Sequence, residues 1–234
     1  MRDDDAMTTS TTPPRRRAAA LAAAAVLGSA VWASCGSASD PSPPSGVDGL
    51  VIPTPDPDPE DFVAEVDNPW FPLSVGARWD YDDDATTPAP SLVVTVESGP
   101  RIAGVATTTR VRTPAAGTAV RDHFAQDRAG NVWWFGREGE WRAGEDGAEA
   151  GLAMPATPRV GDGFRPALTA DLARATATVE DLGLTVAVPL SSYDDTVVLE
   201  VSDGVLTRTE AYARGVGLVR TDETGLVAYD EPRP

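Results

Sequence analysis

The chain contains one histidine, His123, which is the only imidazole available for acid–base, nucleophile-activating or metal-binding chemistry. Asp122 precedes it, but consecutive residues of a strand point to opposite faces of a sheet, so the two side chains are not expected to pair. A catalytic triad would also need a serine near the imidazole, such as Ser192, and a carboxylate that orients the ring. No Gly-x-Ser-x-Gly sequence marks such a nucleophile. We therefore expect His123 to be a structural residue of a strand.

Carboxylates are abundant, but their spacing predicts no catalytic or metal site. Asp194 and Asp195 are adjacent, and on a strand they would face opposite sides rather than flank one substrate as a glycosidase pair does. The acidic runs at residues 56–60 and 82–84 lack the ligand spacing of a calcium loop. All 19 basic residues are arginine, so Schiff-base lysines and phosphate-binding lysine loops are excluded. We predict a protein that is not an enzyme and that holds no cofactor and no metal.

Charge argues against several classes of partner. There are 36 acidic and 19 basic residues, which gives a formal net charge of -17. Nucleic acids are bound through basic patches that neutralise phosphates, and anionic lipid headgroups attract basic segments. The composition therefore predicts no nucleic-acid partner and no electrostatic attachment to a membrane.

Residues 1–34 read as a targeting segment. Arginines at 15–17 precede an apolar run at 18–32, and this run is shorter than the roughly 20 residues that span a bilayer. A signal peptide is therefore predicted. The arginine run leaves open whether export uses the general secretory or the twin-arginine route.

Cys35, the only cysteine, directly follows the apolar run. The order of Ala33, Ser34, Cys35 and Gly36 resembles the lipobox of bacterial lipoproteins, although Trp32 stands where Leu, Val or Ile is usual. The resemblance implies lipidation of the Cys35 thiol and cleavage before it. The expected location is the extracytoplasmic side of the cell membrane, with the lipidated Cys35 as the anchor. The alternative is an ordinary secretory signal with a chance cysteine.

The remaining chain is predicted to be a tether and one folded domain. Residues 35–61 are rich in Pro, Ser and Asp, and proline keeps such stretches extended. Residues 62–230 form the expected domain, in which residues 119–141 predict two strands around a turn at Gly130 and Asn131. Further strand patterns follow at short spacing, which favours an antiparallel meander over βαβ units.

The predicted fold class is therefore mainly β: a single antiparallel β-meander domain, curled into a half-barrel or a sandwich. Within it, residues 99–104 are predicted as a turn, and the Gly- and Glu-rich residues 138–151 as a loop. Residues 167–174 are predicted to make one or two helical turns. Asp203-Gly204 predicts a hairpin.

Four sequence blocks carry a family resemblance. They are Asn68-Pro-Trp-Phe-Pro-Leu73, Gln126-Asp-x-x-Gly-Asn-Val-Trp-Trp-Phe-Gly136, Gly151-Leu-Ala-Met-Pro-Ala-x-Pro-x-Val-Gly161 and Tyr212-Ala-x-Gly-Val-Gly-Leu-Val219. In this order they resemble a group of uncharacterised bacterial, mainly actinobacterial, lipoproteins. The resemblance covers most of residues 66–221. It implies an extracytoplasmic, β-rich domain, and it implies no known activity and no catalytic residues.

Aromatic residues of the 119–141 hairpin are the candidate binding residues. Alternation predicts Trp134 on one face of its strand and Trp133 and Phe135 on the other. One hypothesis is a non-catalytic binding or accessory lipoprotein that meets an envelope protein. Its predicted surface consists of His123, Trp133, Trp134, Phe135 and Trp141. The other hypothesis is a carrier that holds a lipid or another apolar ligand in a cavity lined by the same aromatics. Because a filled core and a ligand cavity share one pattern, core packing also remains open.

Overall fold

The computed structural model describes residues 50–51, 58–83, 89–169, 175–222 and 224–232. These residues belong to one compact unit, Pro43–Pro234. The first nine strands are β1 (Leu50–Val51), β2 (Phe62–Val63), β3 (Arg78–Asp82), β4 (Leu92–Ile102), β5 (Val105–Pro114), β6 (Val120–Asp127), β7 (Val132–Arg137), β8 (Trp141–Arg142) and β9 (Glu149–Met154). The second nine are β10 (Asp162–Phe164), β11 (Ala167–Leu168), β12 (Thr176–Leu182), β13 (Val186–Ala187), β14 (Ser192–Tyr193), β15 (Thr196–Ser202), β16 (Thr207–Ala213), β17 (Gly217–Thr221) and β18 (Gly225–Asp230). The helical structure among the described residues is a single 3-10 turn at Pro59–Asp61.

Two antiparallel meanders make up most of one 16-stranded sheet. One meander is β3 to β7 and the other is β15 to β18, and the pairing of β18 with β3 joins them. The path continues through β12, β10 and β1 at one end and through β9 and β11 at the other, with β1 and β10 parallel. Among the described residues its end strands β1 and β11 do not pair, so the sheet is open. The predicted mainly β, antiparallel fold is confirmed.

Aromatic side chains bridge the seam between β17 and β18. These two strands share one residue pair, Arg220 with Gly225. On the neighbouring strand β3, Trp79 Nε1 donates to the carbonyl of Val216 at 2.8 Å, and Tyr81 Oη donates to that of Leu218 at 2.8 Å. A buried carbonyl without a hydrogen-bond partner is destabilising. The two side chains therefore donate to these carbonyls in place of the ladder hydrogen bonds that are missing between β17 and β18.

Both faces of the central strands take part in aromatic packing. On one face, Phe71 lies 5.2 Å from Phe124 of β6 and 5.9 Å from Tyr212 of β16, measured between ring centroids, so side chains of both meanders meet over it. On the other face, Phe62 packs edge-on against Phe135 at 5.1 Å. Aromatic residues on consecutive positions of β7 therefore have apolar partners on either side.

The predicted turn at residues 99–104 is wrong for most of its length. β4 continues through it to Ile102, with a bulge between Ser98 and Arg101. A bulge tolerates Pro100, because the ladder is locally interrupted and the missing backbone donor is not needed there. The turn itself is limited to Ala103 and Gly104, which adopt φ of 46° and 83°.

The predicted loop at residues 138–151 is wrong in part, because β8 and the start of β9 lie within it and both pair with β7, whereas residues 138–140 and 143–148 lie outside strands. Gly151 has a packing role here. A Cβ on Gly151 would lie 2.3 Å from the carbonyl carbon of Pro166, so the close approach of β11 excludes a side chain. Glycine content alone could not distinguish this requirement from a loop.

Other predicted segments differ or lie elsewhere. Ala167–Leu168 is a strand rather than the start of a helical turn, and residues 170–174 lie outside the described part of the chain. β1 and the 3-10 turn fall within the predicted tether. Residues 1–49, with the predicted signal peptide and Cys35, also lie outside the described residues. β18 is a strand that the sequence reading did not predict.

Candidate functional site

The predicted aromatic surface is reduced to two residues. His123, Trp133 and Phe135 are buried within the fold, so they offer no surface to a partner. Trp134 and Trp141 are half-buried and in edge contact, with ring centroids 5.1 Å apart. The prediction of a five-residue surface is thus corrected, because one face of β7 lies beneath apolar packing while Trp134 and Trp141 retain partial exposure.

His123 is placed for a structural role. Its Nδ1 lies 2.9 Å from the hydroxyl of Thr109 on β5, and its Nε2 is buried without a hydrogen-bond partner. Burial, followed by the nearby Arg142 charge, lowers the pKa of His123. Among the described residues, no group of three or more His, Cys, Asp or Glu side chains is arranged to hold a metal ion.

The most unusual side-chain arrangement surrounds Asp122 on β6. Asp122 is fully buried, and three arginines contact its carboxylate. Arg137 Nε lies 2.7 Å from Oδ1, Arg112 Nη2 3.0 Å from Oδ2, and Arg110 Nη2 3.5 Å from Oδ2. Their side chains keep 24%, 34% and 18% of their surface exposed, in the same order. We call these four residues the Asp122 cluster.

Strand register explains how the Asp122 cluster assembles. Directly opposite residues of antiparallel strands share a face, and Trp141 of β8 pairs with Arg137, Arg137 with Asp122, and Asp122 with Arg110. These four side chains thus form one row across β8, β7, β6 and β5. Arg112 lies two positions further along β5 on the same face. Sequence reasoning missed this cluster, because its members come from three strands.

A bulge places Arg137 beside Trp134. The two residues are three positions apart and would face opposite sides of a regular strand. The register shifts opposite His123 and Phe124, which reverses the alternation. As a result, the Arg137 guanidinium lies 5.0 Å from the Trp134 ring centroid, within cation–π range.

Aromatic rings also support Arg110. Its guanidinium carbon lies 4.8 Å from the ring centroid of Phe124 and 5.3 Å from that of Phe71. Planar guanidinium groups stack on aromatic faces while their edges remain free to donate hydrogen bonds. Packing against aromatic rings therefore holds Arg110 and Arg137 in place without a bound ligand.

The electrostatics of the cluster are unbalanced. Burial alone would raise the pKa of Asp122, but the guanidinium groups of Arg110, Arg112 and Arg137 hold it below its ordinary value. Burial lowers the pKa of Arg112, and repulsion from Arg110 adds to this effect. The carboxylate is thus firmly ionised, whereas the arginines are crowded and partly desolvated.

Unpartnered donors accumulate on the same face. Arg110 Nε, Arg112 Nε and Trp141 Nε1 are buried and have no hydrogen-bond partner among the described residues. Buried N–H groups are normally paired, and each exception calls for an explanation. All three are donors, and all three belong to the Asp122 cluster or to the strand beside it.

The sequence blocks behind the family resemblance meet in a separate hydrogen-bond network. Asn68 Nδ2 donates to the carbonyls of Gly130 at 2.8 Å and Pro155 at 3.3 Å. The Asn68 backbone amide donates to Gln126 Oε1 at 2.7 Å, and Asn68 Oδ1 accepts from the amide of Trp70 at 2.8 Å. One asparagine thus joins three of the four blocks.

The fourth block closes over the first. The amide of Gly215 donates to the carbonyl of Pro69 at 2.6 Å, and Arg214 lies 4.3 Å from the Trp70 ring centroid. Gly217, which lies beside Pro72, adopts φ +91°, a backbone conformation that residues with a Cβ rarely adopt. Residues of all four blocks therefore meet at this junction through hydrogen bonds and packing.

Two open depressions lie elsewhere on the surface. One, of about 500 Å³, is lined by Val63, Ala64, Glu65, Asp67, Gln126, Asp127 and Arg128. The other, of about 330 Å³, is lined by Asp83, Ala187, Val188, Pro189, Arg220, Thr221, Asp222, Thr224 and Gly225. Neither includes an aromatic side chain, so these two depressions do not provide the aromatic-lined cavity that the carrier hypothesis expects.

No family model, no curated protein and no solved structure matches this chain. In the part of the chain that the structure describes, there is no helix with the length and apolar character needed to cross a membrane. The case for function therefore rests on the Asp122 cluster and its neighbours.

Proposed function

We propose that this chain is a lipid-anchored, extracytoplasmic binding module without catalytic activity, and that its ligand docks at the Asp122 cluster beside Trp134 and Trp141. The observation that carries the proposal is the presence of three arginines around one buried carboxylate. Arginine and tryptophan are the residue types that most often dominate binding energy at interfaces. Half-buried side chains of both types on one face provide charged and aromatic contacts together.

Core packing favours a binding module over a carrier. Trp133 is fully buried, and its indole Nε1 donates to Asp127 Oδ2 at 2.9 Å. Phe135 is likewise buried against Phe62. Aromatic residues with such partners fill space rather than line an empty cavity. The residues left for recognition are those near the Asp122 cluster.

The anchor proposal rests on the sequence. With a formal net charge of -17, the chain has little electrostatic attraction to anionic headgroups, so acyl chains on Cys35 would supply its membrane affinity. Metabolic labelling with a palmitate analogue tests this directly. We expect label on the wild-type chain and none on the Cys35→Ala variant; an unlabelled wild-type chain in a lipoprotein-processing bacterium would contradict the anchor.

Site-specific photo-crosslinking tests the docking face. A photoreactive residue at Glu140, whose side chain is 59% exposed and which contacts Arg137 at 3.6 Å, probes the proposed site. The same residue at Val205, 89% exposed at the β15–β16 hairpin, serves as the control. We expect a discrete envelope adduct at position 140 that disappears with Arg112→Gln. An identical adduct at both positions, or none at 140, would argue against docking at this face.

A further inference from the structure

The Asp122 cluster carries two more positive charges than negative ones, because three guanidinium groups surround one carboxylate. We propose that it binds the phosphate group of a phosphomonoester, a group with close to two negative charges at neutral pH. This inference rests on the proposed function for the location of the ligand, and it adds the ligand's chemical class.

The unused hydrogen-bond donors of the three arginines indicate that the ligand is an oxyanion. Each guanidinium has five N–H donors in a planar fork, and Asp122 takes one nitrogen from each arginine. Arg110 Nε and Arg112 Nε are left buried without partners. A carboxylate has two oxygens, and Asp122 already engages both of them. An additional acceptor with several oxygens is what the remaining donors require.

Charge favours phosphate over a carboxylate ligand. Buried cations without counter-charges are destabilised by desolvation and by mutual repulsion. The one further carboxylate in contact with the cluster among the described residues is Glu140, which lies 3.6 Å from Arg137 Nη1. Glu140 is largely exposed, so water screens its charge. A carboxylate ligand, with one negative charge, would neutralise only half of the excess positive charge, whereas a dianionic phosphate would neutralise all of it.

Neighbouring groups indicate an ester rather than free phosphate. Trp141 lies in the same cross-strand row as Arg137, and its Nε1 is a buried donor without a partner. Trp134 and Trp141 expose part of their apolar surface beside the arginines. An apolar or aromatic group attached to the phosphate can contact these rings, which inorganic phosphate cannot do. The ester is therefore expected to bind more tightly than the free anion.

The acidic composition does not oppose this site. Long-range repulsion from the net charge of -17 is screened over about 8 Å at physiological salt. Contacts within the cluster act at hydrogen-bond distance and are hardly screened. Net charge thus slows the approach of a phosphate without deciding its affinity.

Calorimetry on the full chain tests the proposal. Inorganic phosphate and phenyl phosphate are titrated at constant ionic strength into wild-type protein and two arginine variants. Arg112→Gln removes the most exposed arginine of the cluster. Arg121→Gln is the matched control. Arg121 precedes Asp122 on β6, but its side chain contacts Glu97 at 3.3 Å and Glu138 at 3.6 Å and not the carboxylate of Asp122.

We expect saturable one-to-one binding of both probes, with phenyl phosphate the tighter. Affinity should fall by about tenfold or more in Arg112→Gln, the usual effect of losing a charge-assisted hydrogen bond, and remain within about twofold in Arg121→Gln. Glu140→Gln should strengthen binding, because it removes the competing carboxylate. That variant keeps the proposal falsifiable if Arg112→Gln does not fold.

Vesicles separate the two sources of a phosphomonoester. Sedimentation with phosphatidylcholine vesicles, with and without phosphatidate, uses the Cys35→Ser chain so that no acyl chain contributes. Binding that requires phosphatidate, together with binding of phenyl phosphate, would support the site with a lipid headgroup as its source. Binding of phenyl phosphate alone would support a soluble ester.

Three results would overturn the proposal: no saturable heat with either soluble phosphate, equal affinity in wild-type and Arg112→Gln proteins, or binding to vesicles alone. The crosslinking experiment remains independent of these outcomes. An adduct at position 140 without phosphate binding would sink the ligand class and leave the docking face intact. Phosphate binding without an adduct at position 140 would contradict the docking face and leave the ligand class intact.

Discussion

Asp127 accepts a hydrogen bond from the indole of Trp133, with 2.9 Å between Trp133 Nε1 and Asp127 Oδ2. Both residues are buried at the β6–β7 hairpin. The same carboxylate also accepts from the backbone amide and the Nδ2 of Asn131, each at 2.9 Å. One aspartate thus fixes both the turn and the largest core side chain that follows it.

Replacing Asp127 with alanine should destabilise the fold. Three donors would lose a charged acceptor, so we expect the free energy of unfolding to fall by about 2–4 kcal/mol. Denaturant unfolding followed by tryptophan fluorescence measures this. Arg128→Ala, in the same loop, is the control, because the Arg128–Asp61 pair is exposed and 3.7 Å apart. Equal stability of the two variants would contradict this role for Asp127.

Trp133 and Trp134 should respond differently to truncation. Trp133→Ala removes a fully buried ring and leaves a cavity, which should reduce the free energy of unfolding by about 3–5 kcal/mol. Trp134 is half-buried and contacts Trp141 and Arg137. Trp134→Ala should therefore cost less, about 1–3 kcal/mol. Parallel denaturation curves test the order, and a larger loss for Trp134 would show that its ring is the main core residue.

Asp122→Asn should destabilise the protein at neutral pH. The substitution leaves three partly buried arginines without their anion, and breaking a buried charge cluster in this way costs about 3–5 kcal/mol. Unfolding at pH 7 measures the loss. Asp195→Asn is the control, since its ion pair with Arg214 is exposed and should contribute little.

Asp122 should also shape the acid limb of stability. Because its pKa is lower in the folded state than in the unfolded state, its contribution is present above the unfolded value of about 3.9 and is lost as pH falls through the folded pKa. The Asp122→Asn variant should therefore show a shallower fall in stability below about pH 4. Curves of equal steepness for wild type and variant would contradict this assignment.

His123 should titrate below an ordinary histidine. Burial, followed by the nearby Arg142 charge, lowers its pKa, and these two effects outweigh the carboxylates of Glu138, Asp122 and Glu97, which raise it. Since the unfolded state then binds the proton more readily, stability should decline as pH falls from about 6.5 toward the folded pKa. As the only histidine, it gives one imidazole Cε1–H resonance by NMR. A midpoint at or above the ordinary value would contradict this burial argument.

Local patterns predicted much of the sheet. Alternation placed Trp133 and Phe135 on the face opposite to Trp134, in agreement with their burial. Asp203-Gly204 predicted the hairpin between β15 and β16, where the amide of Asp203 donates to the carbonyl of Leu206 at 3.2 Å. Strand alternation and hairpin turns depend on residues that are close together in the sequence, so they can be predicted from the sequence alone.

The Asp122 cluster could not be predicted in the same way. Arginines at 110 and 112 alternate as surface residues often do, and nothing local indicates that Asp122 would pair with both. Arg137 reaches the same face because a bulge reverses the alternation after Trp134. Partners on neighbouring strands and one bulge decide this site, and both depend on the register of strand pairing.

The pairing of β18 with β3 also has a consequence for the order of folding. Tyr81 of β3 donates to Leu218, which lies 137 residues later in the chain, and β18 is synthesised after every other described strand. The two meanders must therefore wait, with the flanks of β3 and β17 open, until this final strand emerges. Such unpaired flanks can recruit strands of neighbouring chains. Nascent or truncated chains that end before Gly225 are thus the species expected to require a chaperone.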